Sequence, residues 1–310
     1  MATLRDINLR ITGVKNTAKI TQAMRMVSAA KLRRAQNKIV SARPYFNQME
    51  KILVNLVESA GEDYSHPLLI KRKEVENICC IVISADRGLC GSFNNALFRF
   101  VSGFVNDLKD MPDFNANIHY ISVGKKSVAN FRKLEASVIK EYDSVFQDLS
   151  FDIVKDINGI VKRKFKKGEI DKVYLFYNQF KNLLKQPPSY YVLLPIEPQP
   201  EKIKDEDDDE EEVAAVEQES YANTDYIYEP SQKDILDELL PKNLDIQLWR
   251  ALLESNAAEQ AARMMAMENA TTNAKDLITH LQMIYNKKRQ EAITTEMLEI
   301  VSGANALENA

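Results

Sequence analysis

From Lys242 to Ser302 the chain contains neither glycine nor proline, and this run constrains the fold more than any other feature. Glycine and proline are the residues that most weaken or break a helix, so their absence predicts one uninterrupted helix. At 1.5 Å per residue, such a run makes a helix about 90 Å long. That is far more than a compact domain needs. A helix of this length is a lever, a spacer or one strand of a coiled coil.

The amino-terminal segment, about 3 to 58, supplies a partner strand. Positions 4, 7, 11, 14, 18, 21, 25, 28, 32, 35, 39 and 42 step by alternating three and four, and nine of the twelve are apolar. This is the spacing of a coiled-coil seam. The polar exceptions, Thr21, Arg25 and Ser28, cluster together. A second stripe, Ile20, Met24 and Val27, runs beside them and predicts that the apolar face rotates there. Pro44 predicts a kink or an interruption. The spacing resumes at Ile52, Leu53 and Leu56, and Gly61 is the expected stop.

Between the two helical segments the period changes. Ile78 to Ile83 is a continuous apolar run, as in a strand buried on both faces. A tight loop, Asp86-Arg87-Gly88-Leu89-Cys90-Gly91, leads into an amphipathic helix from about Asn94 to Leu108. His119 to Val123 reads as a strand, Lys125 to Lys133 as a helix and Ser137 to Lys140 as a short strand. A helix from Phe151 to Phe165 and strands at Val173 to Tyr177 and Tyr190 to Leu194 complete the pattern. Alternating strands and helices imply an α/β sheet.

Residues 197–224 are the most polar stretch and hold eight consecutive acids at 205–212. They read as a flexible acidic insertion, too polar to bury a core. Two readings stay open for residues 201–220: a tethered electrostatic regulator and a solvated loop. Residues 225–241 form a connecting segment, in which Ser231 and Asp234 cap a short helix that Pro241 ends. The predicted organisation is therefore a helix over 1–60, an α/β domain over 75–196, the insertion, the connector, and a helix over 242–310. Neither long apolar stripe is stable alone in water, so the two helices pair. The fold class is an antiparallel coiled coil of the terminal helices with an inserted Rossmann-like α/β domain.

Charge is unevenly distributed. Residues 1–45 carry ten lysines or arginines against the single acid Asp6, although the whole chain has a net charge of -4. A basic helix can meet nucleic acid, anionic lipid or an acidic protein surface, and composition alone does not choose. An amino terminus rich in Lys and Arg raises the question of a transit peptide, but its regular apolar pattern continues past residue 40. The longest apolar runs are too short to span a bilayer. Cys79, Cys80 and Cys90 have no zinc-like or redox-like spacing and read as buried structural thiols.

No catalytic constellation is expected. The Asp86 loop follows a strand and opens a helix, where nucleotides bind in doubly wound folds. It matches neither GxGxxG nor GxxxxGK[ST], so its glycines are assigned to turn geometry. His66, His119 and His280 are scattered. No metal, cofactor or catalytic residue is predicted. A nucleotide-dependent enzyme and a basic coiled coil that binds nucleic acid are the rival classes.

The residues Ile11-Thr12-Gly13-Val14-Lys15-Asn16-Thr17-Ala18-Lys19-Ile20-Thr21-Gln22-Ala23-Met24-Arg25-Met26-Val27 closely resemble the gamma subunits of F-type ATP synthases. So do the Asp86–Gly91 loop, Tyr226-Ile227-Tyr228-Glu229-Pro230 and the stretch from Arg263 to Ala306. The similarity is collinear over nearly the whole chain, and the acidic insertion is its clear departure. It implies a bacterial-type rotor shaft without a transit peptide. The shaft would stand in a ring of alpha and beta subunits, with the α/β domain near epsilon and the c-subunit ring. The resemblance implies beta-subunit contacts for Arg263, Arg289, Gln290, Thr294, Met24 and Arg25. It implies c-ring contacts for Tyr226 and Glu229. It implies ATP synthesis coupled to ion transport, no nucleotide chemistry in this chain, and no nucleic-acid partner. It places the chain peripherally at the cytoplasmic face of the bacterial inner membrane, with no membrane span of its own.

Overall fold

The seam positions of the first segment are the ones that turn inward. In a computed structural model, which describes residues 3–60, 66–72, 74–112, 114–196 and 231–308, helix α1 (Leu4–Ala60) buries Ile7, Ile11, Ala18, Thr21, Ser28, Leu32 and Ala35. The same face continues through Phe46, Met49, Leu53 and Leu56. Its partner is α5 (Gln232–Glu308). Ile7 and Ile11 pack with Leu281, Leu32 and Ala35 with Ala257 and Ala261, and Phe46 and Met49 with Ile246 and Leu253. Partners descend along α5 as they ascend along α1, so the coil is antiparallel.

Three expectations are corrected. The apolar face does not rotate near residue 24. Ile20 is 61% exposed and Val27 56%, while Thr21 and Ser28 stay buried in the seam. Short hydroxyl side chains fit a close approach of two helices and find partners there. Second, Pro44 does not interrupt α1, which is continuous through it. A proline strips the hydrogen bond from the carbonyl four residues earlier. Here that carbonyl belongs to Val40, which is 64% exposed, so the lost donor lies on the face open to solvent. Third, Pro241 does not end a short helix but lies inside α5, with Asp237 in the corresponding exposed position. Leu236, Leu240, Leu244 and Leu248 are buried on either side of it. Each contributes about 1.5–3 kcal/mol on burial, enough together to outweigh a proline penalty of about 3 kcal/mol. The predicted short helix is thus the first turns of a 77-residue helix, about 115 Å long. The Ser231 cap is present, its Oγ accepting from the Asp234 N–H at 3.2 Å.

The inserted domain contains β1 (Asn77–Ile83), α2 (Phe93–Lys109), β2 (Asn117–Val123), α3 (Lys125–Lys133), β3 (Val138–Tyr142), α4 (Phe151–Lys167), β4 (Lys172–Asn178) and β5 (Pro188–Leu194). The sheet order is β3-β2-β1-β4-β5. The first four strands are parallel, and β5 is antiparallel to β4. Alternation along β1 explains its unbroken apolar run. Ile78, Cys80 and Val82 meet Leu97, Val101 and Phe131 on the α2/α3 side. Cys79, Ile81 and Ile83 face α4 and the coil, among Val154, Ile157, Leu244 and Leu248. The thiols are buried and free, and burial pushes Cys79 up to about 12. The sheet therefore lies against the lower half of the coil and shares one core with it.

Candidate functional interface

The Asp86 loop leaves the carboxyl end of β1 and is stapled from within. The Asp86 carboxylate accepts the backbone N–H of Lys125 at 3.0 Å and of Phe146 at 2.7 Å. Lys125 opens α3, so a carboxylate already occupies a helix end where a phosphate would sit. On the loop's other side stands Arg263 of α5. Its Nη1 donates to Glu259 Oε1 at 2.6 Å, and its Nη2 donates to the carbonyls of Arg87 at 3.2 Å and Gly88 at 3.3 Å. Cys90 accepts from Asn94 Nδ2 at 3.2 Å, and burial raises its thiol above the ordinary range. The Asp86 carboxylate is thus spent within the domain and the Arg87 and Gly88 carbonyls on the shaft, and a buried protonated thiol is a poor nucleophile.

In the chain by itself, the Arg263 guanidinium is therefore turned toward the chain's own loop. The residue is 8% exposed. Sequence reasoning placed Arg263 on the interface and missed Glu259, although the i, i+4 spacing of the two was a visible signal. Glu259 is 3% exposed, and its Oε2 has no hydrogen-bond partner among the described residues. Burial raises its pKa, and the neighbouring Arg263 only partly counters this.

About two turns beyond Arg263 the seam becomes polar. Thr21 Oγ1 and Thr271 Oγ1 are 2.7 Å apart, and each also lies within bonding distance of a helix carbonyl, Ala18 at 3.1 Å and Met267 at 2.7 Å. Two hydroxyl protons serve three possible bonds, so the pair can shift donors without losing its partners. Arg25 Nη1 donates to Glu268 Oε1 at 3.1 Å, with both side chains nearly half exposed. Met24 is half-buried beside them, while Met26 and Val27 project to solvent. The structure thus brings Met24 and Arg25 together with a seam whose polar partners on α5 were not foreseen.

Past Tyr285, which packs with Leu281 against Ile7 and Ile11, no other element among the described residues packs on α5. Arg289, Gln290 and Thr294 all lie on this exposed overhang. Gln290 and Thr294 share a face, and the Thr294 hydroxyl donates to the Gln290 carbonyl at 2.9 Å. Ile293, Met297, Leu298, Ile300 and Val301 are also exposed here. The overhang is about 30 Å farther along α5 than the Arg25–Glu268 pair, at 1.5 Å per residue. Tyr226 and Glu229, with the acidic insertion, lie outside the described residues.

The comparisons fit this geometry. A family profile described as ATP synthase matches residues 3–307. The ATP synthase gamma chain of Pelodictyon phaeoclathratiforme is 45% identical over 312 residues, covering 100% of both chains. That of Chlorobium limicola is 44% identical over 311 residues, again covering 100% of both. Among solved structures, a chain of the Euglena gracilis mitochondrial ATP synthase aligns with a TM-score of 0.61 at 20% identity, covering 98% of this chain and 94% of that one. A chain of the Tetrahymena thermophila mitochondrial ATP synthase central stalk and c-ring aligns with a TM-score of 0.55 at 22% identity, covering 81% of this chain and 99% of that one. At these identities the structural matches speak for the fold.

Proposed function

The chain belongs to the ATP synthase gamma-chain family, and on that basis we propose how its contact zones perform the family's work. It is the central rotor shaft of an F-type ATP synthase and is non-catalytic. Rotation of the shaft, driven by ion flow through the c ring, couples to conformational change in the catalytic beta subunits. Each orientation presents a different face and favours a different open or closed state, which is coupling through differential contacts.

The observation that carries this reading is the end of α5 past Tyr285, on which no other element packs among the described residues. A single helix that exposes Ile293, Met297, Leu298, Ile300 and Val301 is a poor free surface in water. It suits a sleeve that covers it. Arg289, Gln290 and Thr294 then engage a beta-subunit catch, and Met24 and Arg25 form a second beta-facing zone lower on the shaft. Arg263 influences coupling from inside, by fixing the loop to the helix. Tyr226 and Glu229 approach the c ring, and the inserted domain lies beside epsilon. The chain is peripheral at the cytoplasmic face of the bacterial inner membrane, and among the described residues no helix is long and apolar enough to cross one.

The test is Arg289→Ala in the assembled complex. Because Arg289 is exposed and lies beyond the coil, its removal leaves folding and subunit stoichiometry intact. ATP synthesis per complex should fall severalfold. A variant that fails to assemble, or that couples normally, overturns the assignment.

A further inference from the structure

We propose that a cavity between the shaft and the inserted domain binds a small aromatic acid, a flat apolar body carrying one carboxylate. The cavity has a volume of about 460 Å³, within the range of about 300–1,000 Å³ that small-molecule sites occupy. Its walls are Ala42, Tyr45 and Phe46 of α1, Phe151 of α4, and Ile246 and Trp249 of α5. Phe151 and Trp249 meet edge to face, with ring centroids 5.6 Å apart at 79°. Close-packed interiors leave few voids larger than a water molecule. A space of this size between large aromatic side chains admits a further ring, which stacks on one face or meets an edge.

The charges around the cavity set the sign of the ligand. Lys155, Lys242 and Asp245 line it as well. Lys242 is held by Glu238 at 2.6 Å. Asp245 is occupied by Asn158 Nδ2 at 2.8 Å and by Lys162 Nζ at 3.5 Å. Lys155 has no ion-pair partner among the described residues, and its ammonium stands 5.7 Å from the centre of the Phe151 ring. One uncompensated cation beside an aromatic wall fits one carboxylate. A neutral or cationic ligand would leave that ammonium unmatched. Trp249 and Tyr45 add an indole N–H and a hydroxyl, neither of which has a hydrogen-bond partner among the described residues. The walls come from both strands of the coil and from α4, so a bound acid bridges shaft and domain and stabilises their docking by mass action.

Trp249 is the chain's single tryptophan, so its indole N–H gives one resonance in a proton–nitrogen spectrum of the labelled full chain. Titration with 2-naphthoate should shift that resonance to saturation, and calorimetry should give one site per chain. Lys155→Gln should weaken binding about fivefold, the upper range for an exposed ion pair, and Lys155→Arg should preserve it. The alcohol 2-naphthalenemethanol keeps the rings and lacks the charge. It should bind about as weakly as 2-naphthoate binds the Lys155→Gln variant, and equally to both proteins. Equilibrium dialysis of 2-naphthoate should find the same site in the assembled complex. An indole resonance that does not move, or an affinity that Lys155→Gln leaves unchanged, overturns the proposal. So does a site present in the free chain and absent from the complex, because another subunit then covers the cavity.

Discussion

Arg263→Ala isolates the contact that ties the shaft to the inserted domain. The Arg263 and Glu259 side chains are 9% and 4% exposed, so this is a buried pair. Removing the guanidinium leaves Glu259 buried without its cation and deprives the Arg87 and Gly88 carbonyls of a donor. Breaking one side of such a pair costs about 3–5 kcal/mol. The urea midpoint of the purified chain, followed by far-ultraviolet circular dichroism, should fall accordingly. The pH dependence separates this cause from simple loss of packing. Glu259 already titrates above its ordinary value of 4.5 because burial disfavours its charge. A raised folded pKa means that protonation favours the folded state. That contribution is fully present below the unfolded value and is lost as pH rises through the raised one. Without Arg263 the value rises further, so the destabilisation should be largest above neutrality and shrink on acidification. Adding Glu259→Gln to Arg263→Ala should recover about 1–2 kcal/mol at pH 8, because no charge is then buried. A loss below about 1 kcal/mol, or one of equal size at pH 5 and pH 8, would refute the reasoning.

Other positions give simpler tests. Thr271→Val keeps shape but removes a hydroxyl from the seam, and should cost about 1 kcal/mol by the same denaturation assay. Gly124→Ala should fail to give soluble folded chain, since φ is +92° and an added Cβ would collide with the Ser84 carbonyl. Arg25→Gln should change the stability of the free chain by less than about 1 kcal/mol, because its pair with Glu268 is half exposed. A clear loss of ATP synthesis in the complex with that variant therefore reports a subunit contact.

Periodicity made most of the fold legible. The alternating steps from Leu4 to Ala42 match the buried and half-buried edge of α1, and the continuous run at Ile78–Ile83 is a central strand flanked by β2 and β4. Local rules misled where tertiary contacts outweighed them. Prolines 44 and 241 break an isolated helix, but here they sit with their lost acceptors toward solvent and large apolar faces buried beside them. The stripe of Ile20, Met24 and Val27 looked like a seam because apolar residues normally seek one. The seam instead kept Thr21 and Ser28, since hydroxyls opposite a partner such as Thr271 can be buried at little cost. Arg263 was recognisable as special, but its inward direction depends on a loop that is 175 residues away in sequence. No window along one chain reveals such a contact.

The seam also changes character in the order that a shaft requires. Beside the sheet it is built from Leu236, Leu240, Leu244, Leu248 and Leu252, which share a core with α4 and β1. Large buried side chains resist sliding and twisting, so this end moves as one body with the domain. Next come Ala257 and Ala261 against Leu32 and Ala35, where small side chains bring the helices close and keep the coil narrow. Thr21, Arg25, Glu268 and Thr271 then replace apolar packing with hydrogen bonds that can exchange partners. A last small cluster, Ile7, Ile11 and Leu281, closes the coil, and past it no other element among the described residues packs on α5. Stability within the chain therefore falls from the domain toward the tip, while the surface left for other subunits grows. A rotor needs that order, because torque must enter a rigid base and leave through contacts that break and reform at every step.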